Sequence, residues 1–282
     1  MIAKDIINAI EKVAPRQLQE DYDNAGLQCG DPSQEVNRVL CCMDVTEQVL
    51  DEAVALGCQM VVSHHPLLFR GTKCVSPAAS DYVSRCLYLA IRRGIVLYAA
   101  HTNLDNAPYG VNYVLASRLG LTRLMPLADL PASRLAGLEK SGWSNEMLQM
   151  AGSGLIGELP EPMTGTDFLS HVASRLETKS LRYNQDYTPS PADCIVCKVA
   201  ICGGSGSDFI ADAERQQADA YITGEIGYHR LFGHPDLLLI EAGHYETEQH
   251  TAALLAGIIQ ETLPQVATYI SETGNQTPIW PN

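Results

Sequence analysis

The run VVSHHPLLF (61–69) places two adjacent histidines, His64 and His65, at the end of a stretch of β-formers. Successive side chains on a strand point to opposite faces, and imidazole is a poor core residue. Either the strand ends before the pair and both rings turn into one cleft, or one ring is an ordinary buried, hydrogen-bonded core group. Two further segments carry the same chemistry. HTNLD sets His101 four residues before Asp105, and HYETE sets His244 four residues before Glu248. If HYETEQHTAALLAGIIQ opens a helix, His244 and Glu248 share a face at i and i+4, a spacing with which helical side chains grip zinc. Histidine with carboxylate suits zinc, iron, manganese, cobalt or nickel, and donor type alone does not choose among them. Two ions about 3.5–4 Å apart would serve hydrolysis, and adjacent imidazoles allow one ring for each ion.

Other candidates carry less. GGSGSDF (203–209) follows a strand and opens a helix, so its amides are candidates for an anion. It lacks the lysine of a phosphate loop and the dinucleotide spacing, and a tight turn is the better reading. GEIGYH puts Glu225 and His229 at i and i+4 after a strand, either lining the cleft or pairing on an exposed helix. His171, His234 and His250 have no placement argument. CIVC (194–197) is the one CxxC, and it reads as part of the strand CIVCKVAIC, whose residues three apart face opposite ways.

The elements that must position these groups alternate. Strands are expected at 38–44, 59–63, 95–100 and 237–241, and helices at 46–57 (Thr46 as N-cap, Gly57 as stop), 81–93 and 164–177. Such alternation indicates an α/β fold with largely parallel sheets, in which ligands bind beyond the carboxyl ends of the strands. Three of these strands end in metal-ligand chemistry: His64–His65, His101 with Asp105, and His244 with Glu248.

The plan repeats. RVLCCMDVTEQVLDEAVALGCQMVVSHH (38–65) lies over KVAICGGSGSDFIADAERQQADAYITGE (198–225) at an offset of 160, and 94–105 lies over 237–248 at an offset of 143. The chain therefore reads as two related α/β halves, 1–124 and 125–282, with a junction near 124–130; the C-terminal helix is free to pack back on the first half. Gly224–Glu225 replaces the histidine pair in the second half, while His-x-x-x-acid persists in both. That asymmetry leads us to expect one metal centre shared by the halves.

Composition excludes several classes. The 282 residues are 46% hydrophobic, as in globular proteins, and no apolar run approaches a membrane span. The start, MIAKDIINAIEKV, has helical spacing rather than a signal-peptide core, and nine scattered cysteines suit a reducing compartment. A cytoplasmic protein is expected. With 19 basic against 33 acidic residues the net charge is −14, which argues against a nucleic-acid partner.

DYDNAGLQCGD (21–31), VVSHHPLLF, HTNLDNAPYGVN (101–112), ICGGSGSDFI (201–210), DAYITGEIGYH (219–229) and EAGHYETE (241–248) occur in an order that resembles the Nif-three-like family, whose members are also called GTP cyclohydrolase 1 type 2 homologs. The resemblance spans nearly the whole chain. It implies a two-metal α/β protein in a toroidal homohexamer, a trimer of dimers, with His64, His65, Asp105, His244 and Glu248 as metal ligands and His101 beside them. Longer members carry an inserted domain between the halves, for which 124–192 is too short. Tyr22–Asp23–Asn24 departs from the family's usual Trp-Asp-Asn. The cyclohydrolase name implies metal-activated water opening a purine imidazole ring, with His101 or Glu225 shuttling protons. No cluster of Lys or Arg is evident for a triphosphate; Arg70, Lys73 and Arg230 are the nearest candidates. A metal-dependent hydrolase of a small, nucleotide-like substrate leads. A non-catalytic metal-binding interaction or chaperone scaffold is the alternative, and a nucleic-acid-binding ring the third.

Overall fold

The computed structural model describes residues 1–179, 181–188 and 190–274. The chain packs as two compact units: Met1–Leu104 together with the chain from Thr251 onward, and Asp105–His250.

In the first unit a five-stranded sheet has the order β1 (Gly26–Cys29), β4 (Val96–Ala99), β3 (Met60–Ser63), β2 (Arg38–Cys42) and β11 (Ala267–Ile270). Only β1 runs antiparallel to its neighbour. These strands are nearly continuous apolar runs because helices cover both faces. On one face Leu40, Cys42, Val61 and Leu97 pack with Val49 and Leu50 of α2 (Glu47–Ala55) and Cys86, Leu87 and Ala90 of α3 (Tyr82–Arg93). The unit is completed by α1 (Ala3–Val13) and α11 (Thr251–Thr262), which pack on each other, and α11 also packs on β2. Helix ends follow the expected chemistry: Thr46 Oγ1 accepts from the Val49 amide at 3.2 Å, and Gly57 takes φ 65° just past the end of α2.

The second unit holds a six-stranded sheet, in the order β5 (Thr122–Asp129), β6 (Gly152–Thr164), β8 (Ile195–Cys202), β9 (Ala220–Thr223), β10 (Leu238–Glu241) and β7 (Arg182–Tyr183). Here β8–β9–β10 are parallel and the three outer pairings antiparallel, so this sheet is mixed rather than largely parallel. After α4 (Thr102–Asp105), its helices are α5 (Val111–Leu119), α6 (Ala132–Leu135), α7 (Asn145–Met150), α8 (Gly165–Leu176), α9 (Ile210–Arg215) and α10 (His244–Glu248). Alternate residues pack to opposite faces. Val199, Ile201, Ile222 and Ile240 meet Leu115 and Phe168, while Ala200, Tyr221 and Leu239 meet Ile210 and Ala213.

Two expectations change. The stretch at 124–130 is not a junction but β5, paired antiparallel with β6. Pro126 has no amide hydrogen to donate, and β5 is an edge strand, where that omission is tolerated. The division at Leu104/Asp105 and the return of the chain from Thr251 onward also differ from halves 1–124 and 125–282. The parallel pairing of β11 with β2, Ala267 against Arg38 through Ile270 against Cys41, joins the C-terminal segment to the first unit.

The repeat survives at the level of register. In the first unit Val39 pairs with Met60 and Cys42 with Ser63; at an offset of 160, Val199 pairs with Ala220 and Cys202 with Thr223. The third strands shift slightly. Val96 lies opposite Met60 and Leu238 opposite Ala220, an offset of 142, whereas His101 and His244 differ by 143. Gly243, at φ 98°, is the extra residue between strand and histidine.

Candidate metal centre

In the first unit the strand ends at Ser63, which resolves the puzzle of the adjacent histidines. The His64 amide donates to the Cys42 carbonyl at 3.1 Å and the His65 amide to that of Met43 at 3.0 Å, while Ser63 Oγ donates to the His65 carbonyl at 2.8 Å. Both rings come to one side, their centroids 4.9 Å apart, and His101 lies 5.2 Å from His64 and 5.5 Å from His65. One ring nitrogen from each of the three lies within 4.8 Å of the others. Donors bound to one ion at about 2.0–2.1 Å are at most about 4.2 Å apart, so this spacing is near what one ion gathers.

Each ring is held by the same device. His64 Nδ1 meets the Ala100 carbonyl at 2.9 Å, His65 Nδ1 meets Asp44 Oδ1 at 2.9 Å, and His101 Nδ1 meets Asp23 Oδ1 at 2.8 Å. All three partners are acceptors, which assigns the proton to Nδ1 and makes Nε2 the nitrogen able to bind a metal ion. Asp23 has a fully buried side chain and also accepts from the Thr102 amide and hydroxyl and the Asn24 amide. Burial alone would raise its pKa, but the hydrogen bonds with His101, Thr102 and Asn24 outweigh it and hold the carboxyl below its ordinary value. The start of α4 is fixed by Asn103, which accepts from the His101 amide and donates to the Ala14 carbonyl.

The second unit applies the device once more. His244 Nδ1 meets Glu225 Oε1 at 2.9 Å, and His244 Nε2 lies 3.1 Å from Glu248 Oε2 across one turn of α10. Glu225 therefore turns to His244, not to His229, which sits in a short 3-10 turn at 228–231. Glu248 is 4% exposed. It rests against Gly203 and Gly204: a Cβ on Gly203 would lie 3.2 Å from Glu248 Cγ, and one on Gly204 would strike Glu248 Oε1 and sit 3.2 Å from His244 Nε2. Asp105 ends α4, its carbonyl accepting from Asn112 Nδ2 at 3.1 Å. The expected single helix from His244 breaks at Gln249–His250 into α10 and α11.

The glycine loop is a structural turn. Its Gly203, Gly204 and Gly206 amides donate to Asn112 Oδ1, Thr247 Oγ1 and Thr223 Oγ1, so those three are not left for an anion. The missing histidine pair of the second unit is explained as well. A Cβ on Gly224, the counterpart of His64, would lie 2.6 Å from the Gly204 carbonyl oxygen and 2.7 Å from His244 Cα. His171 and His250 use the opposite ring nitrogen, with Nε2 meeting the carbonyls of Leu119 and Val111, and His234 pairs with Glu214. Cys194 and Cys197 are free thiols at the start of one strand.

Sequence reading missed the partners Asp44 and Asp23 and the glycine cradle of Glu248. Asp44 was findable, since it lies just past the carboxyl end of β2, where the strand-end rule looks.

Histidine rings with fixed tautomers and a carboxylate on one of them fit a divalent transition metal. The molecule is thus an α/β protein with His and Glu groups able to bind a metal ion. It belongs to the Duf34/NIF3 (NGG1p interacting factor 3) family, whose profile matches residues 1–277. A Clostridium perfringens relative named GTP cyclohydrolase 1 type 2 homolog is 32% identical over 272 residues, covering 96% of this chain and 95% of its own length. A Schizosaccharomyces pombe relative, Protein NIF3 homolog, is 29% identical over 253 residues, covering 88% of this chain and 85% of its own. The crystal structure of a Bacillus cereus protein related to NIF3 superposes with a TM-score of 0.86 at 25% identity, covering 99% of each chain.

Proposed function

We propose that this protein is a dinuclear-metal-dependent hydrolase, with His64, His65, Asp105, His244 and Glu248 as ligands of two divalent ions. The observation that supports the reading is the shared anchoring of His64, His65 and His244 through Nδ1, which suits ligation through Nε2. When bound, such ions supply Lewis-acid activation of water near neutral pH. In this reading His101, which meets Asp23, and Glu225, which meets His244, hold or move a proton. The relatives' name, GTP cyclohydrolase 1 type 2 homolog, makes a nucleotide-like small molecule the first substrate class to test. A polyphosphate finds little support. Among the basic candidates Arg230 is committed to Asp208 at 2.7 Å and to the Ser207 carbonyl.

We further propose a homohexamer, a trimer of dimers, working in the cytoplasm. Nine free cysteines agree with a reducing compartment, and among the described residues no helix is long and apolar enough to cross a membrane. The test is a turnover screen of nucleosides, nucleotides and phosphoesters with zinc-, manganese-, iron-, cobalt- and nickel-loaded protein. Hydrolysis that chelator abolishes and metal restores is expected. Metal binding without turnover of any compound favours the interaction or chaperone scaffold instead.

A further inference from the structure

One strand of the first unit ends beside the histidines without contributing any chemistry of its own. β11 runs parallel to β2, with Ile270 opposite Cys41, so the chain leaves it at the end of the sheet where His64 and His65 follow β3. The Ser271 amide still donates to the Cys41 carbonyl at 2.8 Å. Glu52 of α2 then takes hold of the chain, accepting from the hydroxyls of Ser271 and Thr273 and from the Glu272 amide. The Gly274 amide donates to Ser271 Oγ at 2.9 Å, and a Cβ on Gly274 would lie 2.9 Å from Val49 Cγ2 and 3.1 Å from Cys42 Cβ.

These contacts give the exit a direction. From Glu52 to Val49 the segment passes along α2 toward the helix start, which Asp44, Val45 and Thr46 precede. Asp44 meets His65 Nδ1 at 2.9 Å, and Cys42, against which Gly274 packs, accepts from the His64 amide. NQTPIWPN (275–282) follows Gly274, and a chain of that length reaches at most about 26–29 Å. Two exposed rings stand within that span, Tyr82 at 51% and Phe69 at 42%. Burial and then the Asp44 charge raise the Tyr82 phenol above its ordinary pKa, which sets that ring near Asp44. Phe69 lies 6.0 Å from His101, itself 5.5 Å from His65. NQTPIWPN has no charged side chain, so the carboxylates of this acidic chain do not repel it. Pro278 and Pro281 reduce the entropy lost on seating it, and Trp280 offers a large apolar surface to bury.

We propose that residues 275–282 fold back over the histidine cluster of the first unit, with Trp280 seated on the exposed rings of Phe69 and Tyr82, as a strap that slows metal exchange. The exchange rests on the metal reading; the seating does not.

The test uses tryptophan fluorescence of the full chain, in which Trp280 has one companion, Trp143, buried in the second unit. The difference between wild type and Trp280→Phe isolates the Trp280 emission. In metal-free wild type that emission should lie to the blue of free tryptophan and resist acrylamide, and Phe69→Ala with Tyr82→Ala should abolish both effects. In zinc-loaded protein, truncation after Gly274 and Trp280→Ala should each speed zinc release to a chelating dye about tenfold, the factor that burial of one large side chain supports, with zinc stoichiometry unchanged. Trp280 emission like that of free tryptophan in wild type overturns the proposal. So does shelter that survives loss of both rings, which would seat the segment elsewhere, or zinc release unchanged in both strap variants. Trp280 sheltered by the two rings in a protein that binds no zinc supports the seating and overturns the metal reading alone.

Discussion

Replacing Gly204 with alanine separates backbone strain from damage to the proposed ligands. Gly204 sits at φ 61°, where an L-residue costs about 1–2 kcal/mol. Gly120, at φ 75° with nothing within 4 Å of a Cβ, incurs only that cost and serves as the control. At Gly204 the new methyl also meets Glu248 Oε1 and lies 3.2 Å from His244 Nε2. Glu248 is 4% exposed and cannot simply swing into water, so overpacking adds about 1–3 kcal/mol. The sum is roughly 2–5 kcal/mol for Gly204→Ala, against about 1–2 for Gly120→Ala. Urea unfolding of metal-free protein gives the stability difference, and competition with a chelating dye gives zinc affinity. Gly204→Ala should lose at least tenfold in zinc affinity and Gly120→Ala none. Equal stability losses with unchanged zinc affinity would falsify the cradle.

Three other predictions follow from the same contacts. Asp44→Asn and Asp23→Asn loosen the anchors of His65 and His101 and should each lower metal affinity about 10–100-fold; isothermal titration with zinc checks this, and wild-type affinity in both would show that the anchoring is incidental. Glu52 accepts from the hydroxyls of Ser271 and Thr273 and from the amides of Glu272 and Thr273. Burial alone would raise its pKa, but those bonds hold it below the ordinary 4.5. Its contribution is therefore present above that value and lost as pH falls through the depressed one. Glu52→Gln should cost about 1–2 kcal/mol at pH 7 and progressively less on the acid side of pH 4.5, read by urea unfolding across pH; a gap that widens with acid contradicts the sign. Light scattering at micromolar concentration should give the mass of six chains, and a monomer would remove the hexamer.

What the sequence made legible was local and periodic. Thr46 at the start of α2 and the apolar runs of β2, β3 and β4 declare themselves because each side chain acts on its own segment. The strand-end rule located His64, His65 and His101 in the first unit and His244 in the second, since loops that leave parallel strands emerge at one end of their own sheet. The misses depend on partners distant in the chain. β6 is interrupted by Gly154, Gly157, Pro160 and Pro162, which read as punctuation until β5 and β8 pair with it. Asp23 meets His101 from 78 residues away, and no spacing rule reaches that far. Gly203 and Gly204 look like turn residues, and that is half of their role; the other half appears only when Glu248 is packed against them.

The most direct measurement of the central claim is metal content per chain in purified, metal-loaded protein, by mass spectrometry of the elements, for wild type, Asp105→Asn and Glu248→Gln. The account predicts about two divalent ions in wild type and the loss of at least one in each variant, with folding intact by circular dichroism. Full occupancy in both variants, or no metal in the wild type after loading, would contradict it.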